Sequence, residues 1–248
     1  MTYRDGPAGR DYFAENREPV PVTIGLVFRS VENLRPPRGG RVDVVVPPRT
    51  TMDVVHLDKF KRDGAIGAAI AVQIDLGSST NEPDDFVYGV PFGGREAREV
   101  IQGYGGEETH LASMYYSLDI AMPEGTPVLA ARAGVVLLVQ DGFTRGGTDP
   151  ELLERSNLVV VAHEDGTMAS YGHLQRGVLV RVGEQVEEGT LLGLSGSTGF
   201  AGQPHLHFHV GNRMLGAPGR TIPVEMRDSD GRPVDMTKGE WIQPARRR

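Results

Sequence analysis

The sequence predicts an all-β protein built from two domains. Its 248 residues include 33 glycines and 17 prolines, a composition that favours many turns and short strands. Short runs of β-branched and apolar residues lie between these turns, as is typical of strands. The third observation is the alternation of histidine with Leu206 and Phe208 from His205 to His209, which is the period of two that a strand requires.

Length, composition and charge exclude several classes of protein. A hydrophobic content of 39% and a charged content of 24% are ordinary for a globular protein. The net charge of -7 and the lack of a basic stripe argue against nucleic acid as the main partner. The run Arg246 to Arg248 is expected to be a solvated tail. The absence of cysteine excludes disulfides and thiolate metal ligands and leaves the redox compartment open.

The N-terminus carries no apolar leader, and no apolar run approaches the ~20 residues that a membrane helix needs. The sequence therefore predicts no transmembrane segment. It leaves two alternatives for the compartment, an intracellular protein or a mature form whose leader is absent.

The N-terminal part is expected to contain a polar lead-in over residues 1–19 and a β-rich domain over residues 20–95. Strand signals occur at residues 20–28, 42–46, 54–57, 66–76 and 86–92. Short strands at this spacing indicate a β-sandwich-like domain. No motif in this part indicates chemistry. The Gly-rich, polar residues 96–106 are predicted to be a linker.

Residues 107–212 are expected to form a second β domain, and residues 213–248 an extension that wraps back over it. Strand signals occur at residues 115–121, 128–131, 134–139, 157–163 and 168–173. Asp165 and Gly166 separate the last two and predict a two-residue hairpin turn, because this pair suits the right-handed twist of the flanking strands.

Residues 180–193 resemble the barrel of biotinyl and lipoyl carrier domains in the spacing of their glycines and valines. A carrier needs a lysine at a hairpin tip. The lysines of this chain are Lys59, Lys61 and Lys238, and none lies near that segment. The carrier hypothesis therefore fails on its chemistry, although the barrel geometry remains plausible for the fold.

The segment from His205 to His209 is the strongest indication of chemistry. In a strand, His205, His207 and His209 share one face, while Leu206 and Phe208 point into a core. Three imidazoles on one face favour a metal site. The alternative is the polar outer face of a half-buried strand.

Seven segments, in this order along the chain, resemble the lysostaphin-type (LytM-type) zinc metallopeptidases, which are peptidoglycan endopeptidases. The matching segments are DIAMPEGTPV (119–128), AARAGVV (130–136), NLVVVAHEDG (157–166), SYGHL (170–174), VGEQVEEG (182–189), GSTG (196–199) and PHLHF (204–208). The resemblance covers roughly the second half of the chain. It implies a compact antiparallel β domain related to the barrel-sandwich hybrid, with a substrate groove.

The resemblance also implies a division of roles among the site residues. Asp119 and His207 match two zinc ligands, and His173 and His205 match the two catalytic histidines. A catalytic zinc ion takes three protein ligands and activates water, and neighbouring imidazoles can accept the water's proton and stabilise the oxyanion. The implied cofactor is Zn²⁺, and the implied partner is a peptidoglycan peptide or a similar short peptide.

The chain departs from the family pattern at the first ligand, because Tyr115 stands four residues before Asp119, where the family has histidine. His110, nine residues before Asp119, is a candidate for the missing ligand. Tyr115 as a phenolate is a second candidate, which is uncommon because its free pKa is ~10. His209 is a weaker third candidate, since it lies one step further along the strand, and we expect it to take no part.

Two functions from different classes remain open at this point. The first is a zinc metalloendopeptidase that cleaves peptidoglycan cross-links. The second is a catalytically degenerate module that binds peptidoglycan or regulates a partner wall hydrolase without metal. Because both functions act at the cell wall, they predict a periplasmic or extracellular location. No leader is visible, however, and a cytoplasmic location is not excluded.

Overall fold

Two hydrophobic cores, formed by different parts of the chain, divide the protein into two units. The computed structural model describes residues 1–78, 83–106, 109–212 and 220–245. Residues 1–78 form the N-terminal unit, and the described residues from 83 onward form the C-terminal unit. Within these ranges the regular elements are strands and short 3-10 turns, which confirms the predicted all-β class.

The N-terminal unit contains two antiparallel sheets of three strands each in its described part. Its strands are β1 (Thr2–Asp5), β2 (Gly9–Glu15), β3 (Val22–Glu32), β4 (Arg41–Val46), β5 (Thr51–Asp58) and β6 (Gly67–Leu76). One sheet has the order β1-β2-β5 and the other the order β4-β3-β6. Buried side chains from both sheets, among them Tyr12, Leu57, Leu26 and Val46, belong to one apolar cluster.

The first strands lie where a polar lead-in was predicted for residues 1–19. In β2 the side chains of Arg10, Tyr12 and Ala14 alternate inward with the period of a strand. The buried Arg10 guanidinium pairs with the Asp5 carboxylate on β1. This ion pair explains why so polar a segment is ordered, because a buried charge is tolerated only when it is paired.

The C-terminal unit is organised around a nine-stranded sheet, counted over its described residues. The strands of the whole unit, within and outside this sheet, are β7 (Val87–Gly89), β8 (Arg98–Gln102), β9 (Ser117–Ala121), β10 (Pro127–Leu129), β11 (Gly134–Gln140), β12 (Gly146–Gly147), β13 (Asn157–Ala162), β14 (Thr167–Leu174), β15 (Gln185–Val186), β16 (Leu191–Leu194), β17 (Gly199–Phe200), β18 (His205–Asn212), β19 (Arg220–Thr221), β20 (Glu225–Arg227) and β21 (Trp241–Ile242). The order in the large sheet is β15-β11-β13-β14-β18-β9-β8-β21, with β19 added to β18.

The interior strand β18 is anchored by its apolar face. Leu206 and Phe208 are 0% and 1% exposed and belong to the core of the C-terminal unit. Each such burial stabilises the fold by about 1.5–3 kcal/mol relative to exposure. Tyr171, on the neighbouring β14, packs its ring against Phe208, and its hydroxyl accepts a hydrogen bond from the backbone N–H of Ala131 at 2.8 Å. The opposite face of β18 is therefore held in a fixed position.

The structure differs from the predicted linker over residues 96–106, because β8 lies within that range and pairs with β9 in the large sheet. Val100 of β8 is fully buried, so this stretch belongs to the core of the C-terminal unit. The predicted extension over residues 213–248 contributes three short strands, β19, β20 and β21, which pair with β18, β7 and β8. Residues 213–219 and the terminal Arg246 to Arg248 lie outside the described residues.

The hairpin between β13 and β14 turns at the predicted pair Asp165 and Gly166, and Gly166 has a φ of 85°. The Asp165 carboxylate accepts hydrogen bonds from the N–H and the hydroxyl of Thr167. In the described parts of the chain, no helix is long and apolar enough to cross a membrane.

Candidate metal centre

Pairing of β9 with β18 brings the first two candidate ligands together. The antiparallel register places His207 directly opposite Asp119, and it places His205 and His209 opposite Ala121 and Ser117. Directly opposed residues of two strands project their side chains to the same face. The distance from His207 Nδ1 to Asp119 Oδ1 is accordingly 2.8 Å.

His110 reaches the same carboxylate from the loop before β9. It precedes a 3-10 turn (Ala112–Met114), and its side chain is fully buried. Its Nδ1 is 2.9 Å from the backbone carbonyl of Gly103, and because a carbonyl only accepts, Nδ1 carries the proton. In the neutral ring Nε2 then carries no proton, and it lies 3.3 Å from Asp119 Oδ1 with no hydrogen-bond partner.

These three side chains fit a metal ion. One ligand atom from each of His110, Asp119 and His207 lies within 4.8 Å of the other two. The ligand atoms of a tetrahedral zinc ion are roughly 3.3 Å apart, given bonds of about 2.0–2.1 Å. A buried imidazole nitrogen without a hydrogen bond also normally costs stability, so its presence beside a carboxylate favours a ligand role.

Charges in the cluster favour the ionised carboxylate. Burial raises the pKa of Asp119, but the adjacent nitrogens of His110 and His207 outweigh burial and hold this pKa well below its usual range. Burial lowers the pKa of His110, and the Asp119 carboxylate outweighs this effect, so that the His110 pKa is raised. The site is therefore an anionic centre faced by imidazole nitrogens, which is the electrostatic environment that a divalent cation prefers.

Gln102 fixes the orientation of the Asp119 carboxylate. Its amide Nε2 donates to Asp119 Oδ2 at 2.9 Å and lies 2.7 Å from the hydroxyl of Thr109. With Oδ2 engaged in this way, Oδ1 is the oxygen that faces His110, His205 and His207. The carboxylate is thus presented to the histidines through a single oxygen.

His173 and His205 lie beside this cluster with their rings held by the backbone. His173 Nδ1 is 2.7 Å from the carbonyl of Thr198, and His205 Nδ1 is 2.8 Å from the carbonyl of Gln203. Both rings therefore carry a proton on Nδ1, and in the neutral form Nε2 is the nitrogen that can accept one. The ring centroids are 4.5 Å apart, and His205 Nε2 is 3.6 Å from Asp119 Oδ1.

The backbone and the surroundings of His173 are unusual. Its φ is +60°, a conformation that non-glycine residues adopt rarely and that persists only where the surroundings hold it. Its backbone N–H donates to the Ser156 hydroxyl at 2.9 Å, which helps to hold this conformation. Burial and then the charges of His205 and His207 lower the pKa of His173 to about 3, so this imidazole is neutral at neutral pH.

The third histidine of β18 lies against the second. His209 Nδ1 is 3.1 Å from His207 Nε2, on the nitrogen of His207 that does not face Asp119. Burial and then the charges of His207 and His110 lower the pKa of His209 to about 3. His209 therefore contacts His207 but is not one of the three residues of the donor set.

Tyr115 lies away from the donor set. Its side chain is 47% exposed, and its ring packs edge-on against Tyr116 with centroids 4.9 Å apart. It also lies over Gly105, where a Cβ atom would come within 2.9 Å of the ring. Among the described residues, His110 and not Tyr115 therefore occupies the third position beside Asp119 and His207.

An open cleft gives access to the site. Its volume is about 420 Å³, and its walls come from the ends of β8 and β9 and from the start of β18. Asp119 and His205 both line it, together with Gln203 and Lys238. A peptide that entered this cleft would reach the carboxylate and the histidine together.

The structure thus brings together five of the site residues named from the sequence, namely Asp119, His173, His205, His207 and His110, and leaves out Tyr115. Gln102 was missed, because it lies in a stretch predicted to be a linker. The signal that would have found it is a polar residue at an inward position, since Val100 and Gln102 alternate inward along β8 and are both buried.

The C-terminal unit is thus a β domain in which a His, Asp and His donor set lies beside two further histidines. Residues 113–220 match the family model Peptidase family M23. His110 and Gln102 lie just outside the matched residues.

Two curated relatives share this part of the chain. Peptidoglycan DD-endopeptidase ShyA of Vibrio cholerae serotype O1 is 37% identical over 108 residues, which are 43% of this chain and 23% of that protein. Lysostaphin of Staphylococcus simulans is 36% identical over 96 residues, which are 38% of this chain and 17% of that protein. The chain thus spans less than a quarter of the length of either relative.

A solved structure also matches. The catalytic domain of a variant of the prophage-encoded M23 protein EnpA from Enterococcus faecalis has 26% sequence identity to this chain and a TM-score of 0.38. The match covers 51% of this chain and 88% of that one.

Proposed function

We propose that this chain is a zinc-dependent endopeptidase that cleaves peptide cross-links of peptidoglycan. The observation that carries the proposal is the position of His110, whose buried and unpartnered Nε2 lies 3.3 Å from Asp119 Oδ1. With His110 present, the donor set has the three protein ligands of a catalytic zinc site. The match to Peptidase family M23 and the likeness to the peptidoglycan endopeptidase ShyA support peptidoglycan as the substrate class.

The histidines outside the donor set would move the protons. When bound, a catalytic zinc ion supplies Lewis-acid chemistry, which polarises a carbonyl and makes water acidic near neutral pH. In their neutral forms, His173 and His205 each have Nε2 as the nitrogen without a proton, so each can accept the proton of the attacking water as a general base. Once protonated, the same Nε2–H can donate to the oxyanion that forms from the peptide carbonyl.

The hydrogen bonds to Thr198 and Gln203 prepare these two rings for that role. Each backbone carbonyl holds its Nδ1–H and prevents the ring from turning. A base that is already oriented loses no freedom when the substrate binds, which is one source of rate enhancement. Peptidoglycan as the substrate implies that the protein works in the periplasm or outside the cell.

Metal content and hydrolysis test the proposal together. We expect one zinc ion per chain after dialysis against micromolar zinc, and release of soluble fragments from purified peptidoglycan. Release should stop with a chelator and return with zinc. His207→Ala should lose both zinc and hydrolysis. His56→Ala, which changes a half-exposed histidine of the N-terminal unit, is the matched control and should keep both.

The outcomes separate the two functions left open by the sequence. If the wild-type chain takes up no zinc, the proposal that it is a zinc-dependent endopeptidase is refuted. A chain that binds zinc and peptidoglycan but releases nothing would instead be a binding or regulatory module, with a wall hydrolase as its partner.

A further inference from the structure

The two histidine ligands of the candidate metal centre are held in opposite ways. A metal-binding imidazole uses one nitrogen for the metal and needs an acceptor for the N–H of the other. In His110 that acceptor is the carbonyl of Gly103, which contacts Nδ1. In His207, Nδ1 is the nitrogen that faces Asp119, so Nε2 is the one that needs an acceptor.

The atom in contact with His207 Nε2 is Nδ1 of His209. The two nitrogens are 3.1 Å apart, and the ring centroids are 5.2 Å apart with an angle of 69° between the planes. This is the distance of an N–H···N hydrogen bond, with the rings inclined so that an N–H of one can point at the lone pair of the other.

The strand keeps the two rings at this spacing. His207 and His209 project from the same face of β18 because side chains in a strand alternate with a period of two. β18 is paired with β14 on one side and β9 on the other at both positions, with Gly172 and Asp119 opposite His207, and Ser170 and Ser117 opposite His209. The backbone therefore cannot shift to separate the rings without breaking the sheet.

We propose that His209 is a positioning residue, which holds His207 for metal binding by accepting a hydrogen bond from its Nε2–H. The inference rests on the proposed function, because a metal ion at Nδ1 fixes the direction of this hydrogen bond. An Nδ1 that binds a metal carries no proton, so the proton of His207 is on Nε2 and points to His209. His209 does not touch the metal or the substrate.

The test compares zinc affinity among variants at position 209, with the metal ion alone as the probe. His209→Leu keeps an apolar side chain of similar size and removes the acceptor. His209→Asn keeps one, because its Oδ1 lies as many bonds from the backbone as Nδ1 does. We expect zinc affinity, measured by competition with a chromophoric chelator, to fall about 10- to 100-fold in His209→Leu and to recover in His209→Asn.

Two further measurements separate positioning from a general effect on the fold. The absorption spectrum of bound Co²⁺ should differ between His209→Leu and the wild type and match the wild type in His209→Asn. If His209→Leu does not fold, His209→Ala takes its place in the comparison, because it also lacks the acceptor and has a smaller side chain. If His209→Leu or His209→Ala binds zinc as tightly as the wild type, or if His209→Asn binds it no better than they do, the inference is wrong.

His207→Ala, measured in parallel, distinguishes this inference from the proposed function. If the wild-type protein binds no zinc, or if His207→Ala binds it equally well, the proposed function fails and the role of His209 fails with it. If those two proteins behave as expected and only the His209 variants do not, the metal site stands and the positioning role is refuted.

Discussion

Protonation of His163 should destabilise the C-terminal unit as the pH falls, and the size of the effect follows from its surroundings. His163 is 6% exposed, its Nδ1–H donates to the carbonyl of Ala133 at 2.8 Å, and its Nε2 makes no hydrogen bond. Burial, as the main cause, lowers its pKa to about 4 in the folded chain. An unfolded chain restores the ordinary value of about 6.5.

Because the folded pKa is the lower of the two, the unfolded state binds the proton more readily, and stability is lost as the pH falls. The stability that the low pKa of His163 contributes is fully present above pH ~6.5 and is lost progressively towards pH ~4. The shift corresponds in total to about 3.4 kcal/mol, of which about 2 kcal/mol is lost between pH 7.5 and pH 5.

The assay is urea unfolding of metal-free wild type and His163→Asn at these two pH values. The fluorescence of Trp241, the sole tryptophan of the sequence, reports on the C-terminal unit, in which it lies. Asparagine keeps a donor near the carbonyl of Ala133 but does not titrate. The stability difference between the two proteins should therefore shift by about 2 kcal/mol in favour of the variant at pH 5. The same difference at both pH values would refute the reasoning.

Three further changes test other parts of the structure. Gln102→Leu leaves Asp119 Oδ2 without its amide donor, so we expect about 10- to 100-fold weaker zinc binding in chelator competition; an unchanged affinity would show that the carboxylate needs no such support. Tyr115→Phe should leave zinc affinity unchanged, whereas a phenolate ligand would make this variant lose the metal. Tyr171→Phe leaves the buried N–H of Ala131 without its acceptor and should lower the free energy of unfolding by about 1–3 kcal/mol, and a smaller loss by denaturant titration would contradict that cost.

The part of the site that could be predicted from the sequence is the part built on one strand pair. Alternation along His205 to His209 is a local property, so it indicated which side chains share a face. The pairing of Asp119 with His207 is not local and came from the resemblance to a known family. The structure adds the register that places them opposite each other.

The position of His110 could not be predicted with the same certainty, because loop conformation is not periodic. The eight residues between His110 and Asp119 include a 3-10 turn and Ala112, whose φ is +50°. A chain that follows this path brings His110 back to the carboxylate, whereas an extended one would carry it away. No spacing rule distinguishes these two paths.

The earlier strands were missed for a different reason. Residues 1–19 combine charges, glycine and proline, and this composition predicts a polar lead-in. The alternation of Tyr12 and Ala14, which indicates a strand, is a weaker signal than that composition. The ion pair between Arg10 and Asp5, which allows that polarity to be buried, joins two strands and is visible only once they are paired.

The contribution of β8 to the candidate metal centre has a practical consequence for shortening or grafting the domain. A fragment cut at residues 113–220, where the family match begins and ends, would retain Asp119 and His207 but discard His110 and Gln102. It would also expose the edge of β9 that β8 covers, and an uncovered edge strand invites aggregation. The smallest transplantable segment of this chain must therefore start before Arg98, well upstream of the boundary drawn by family likeness.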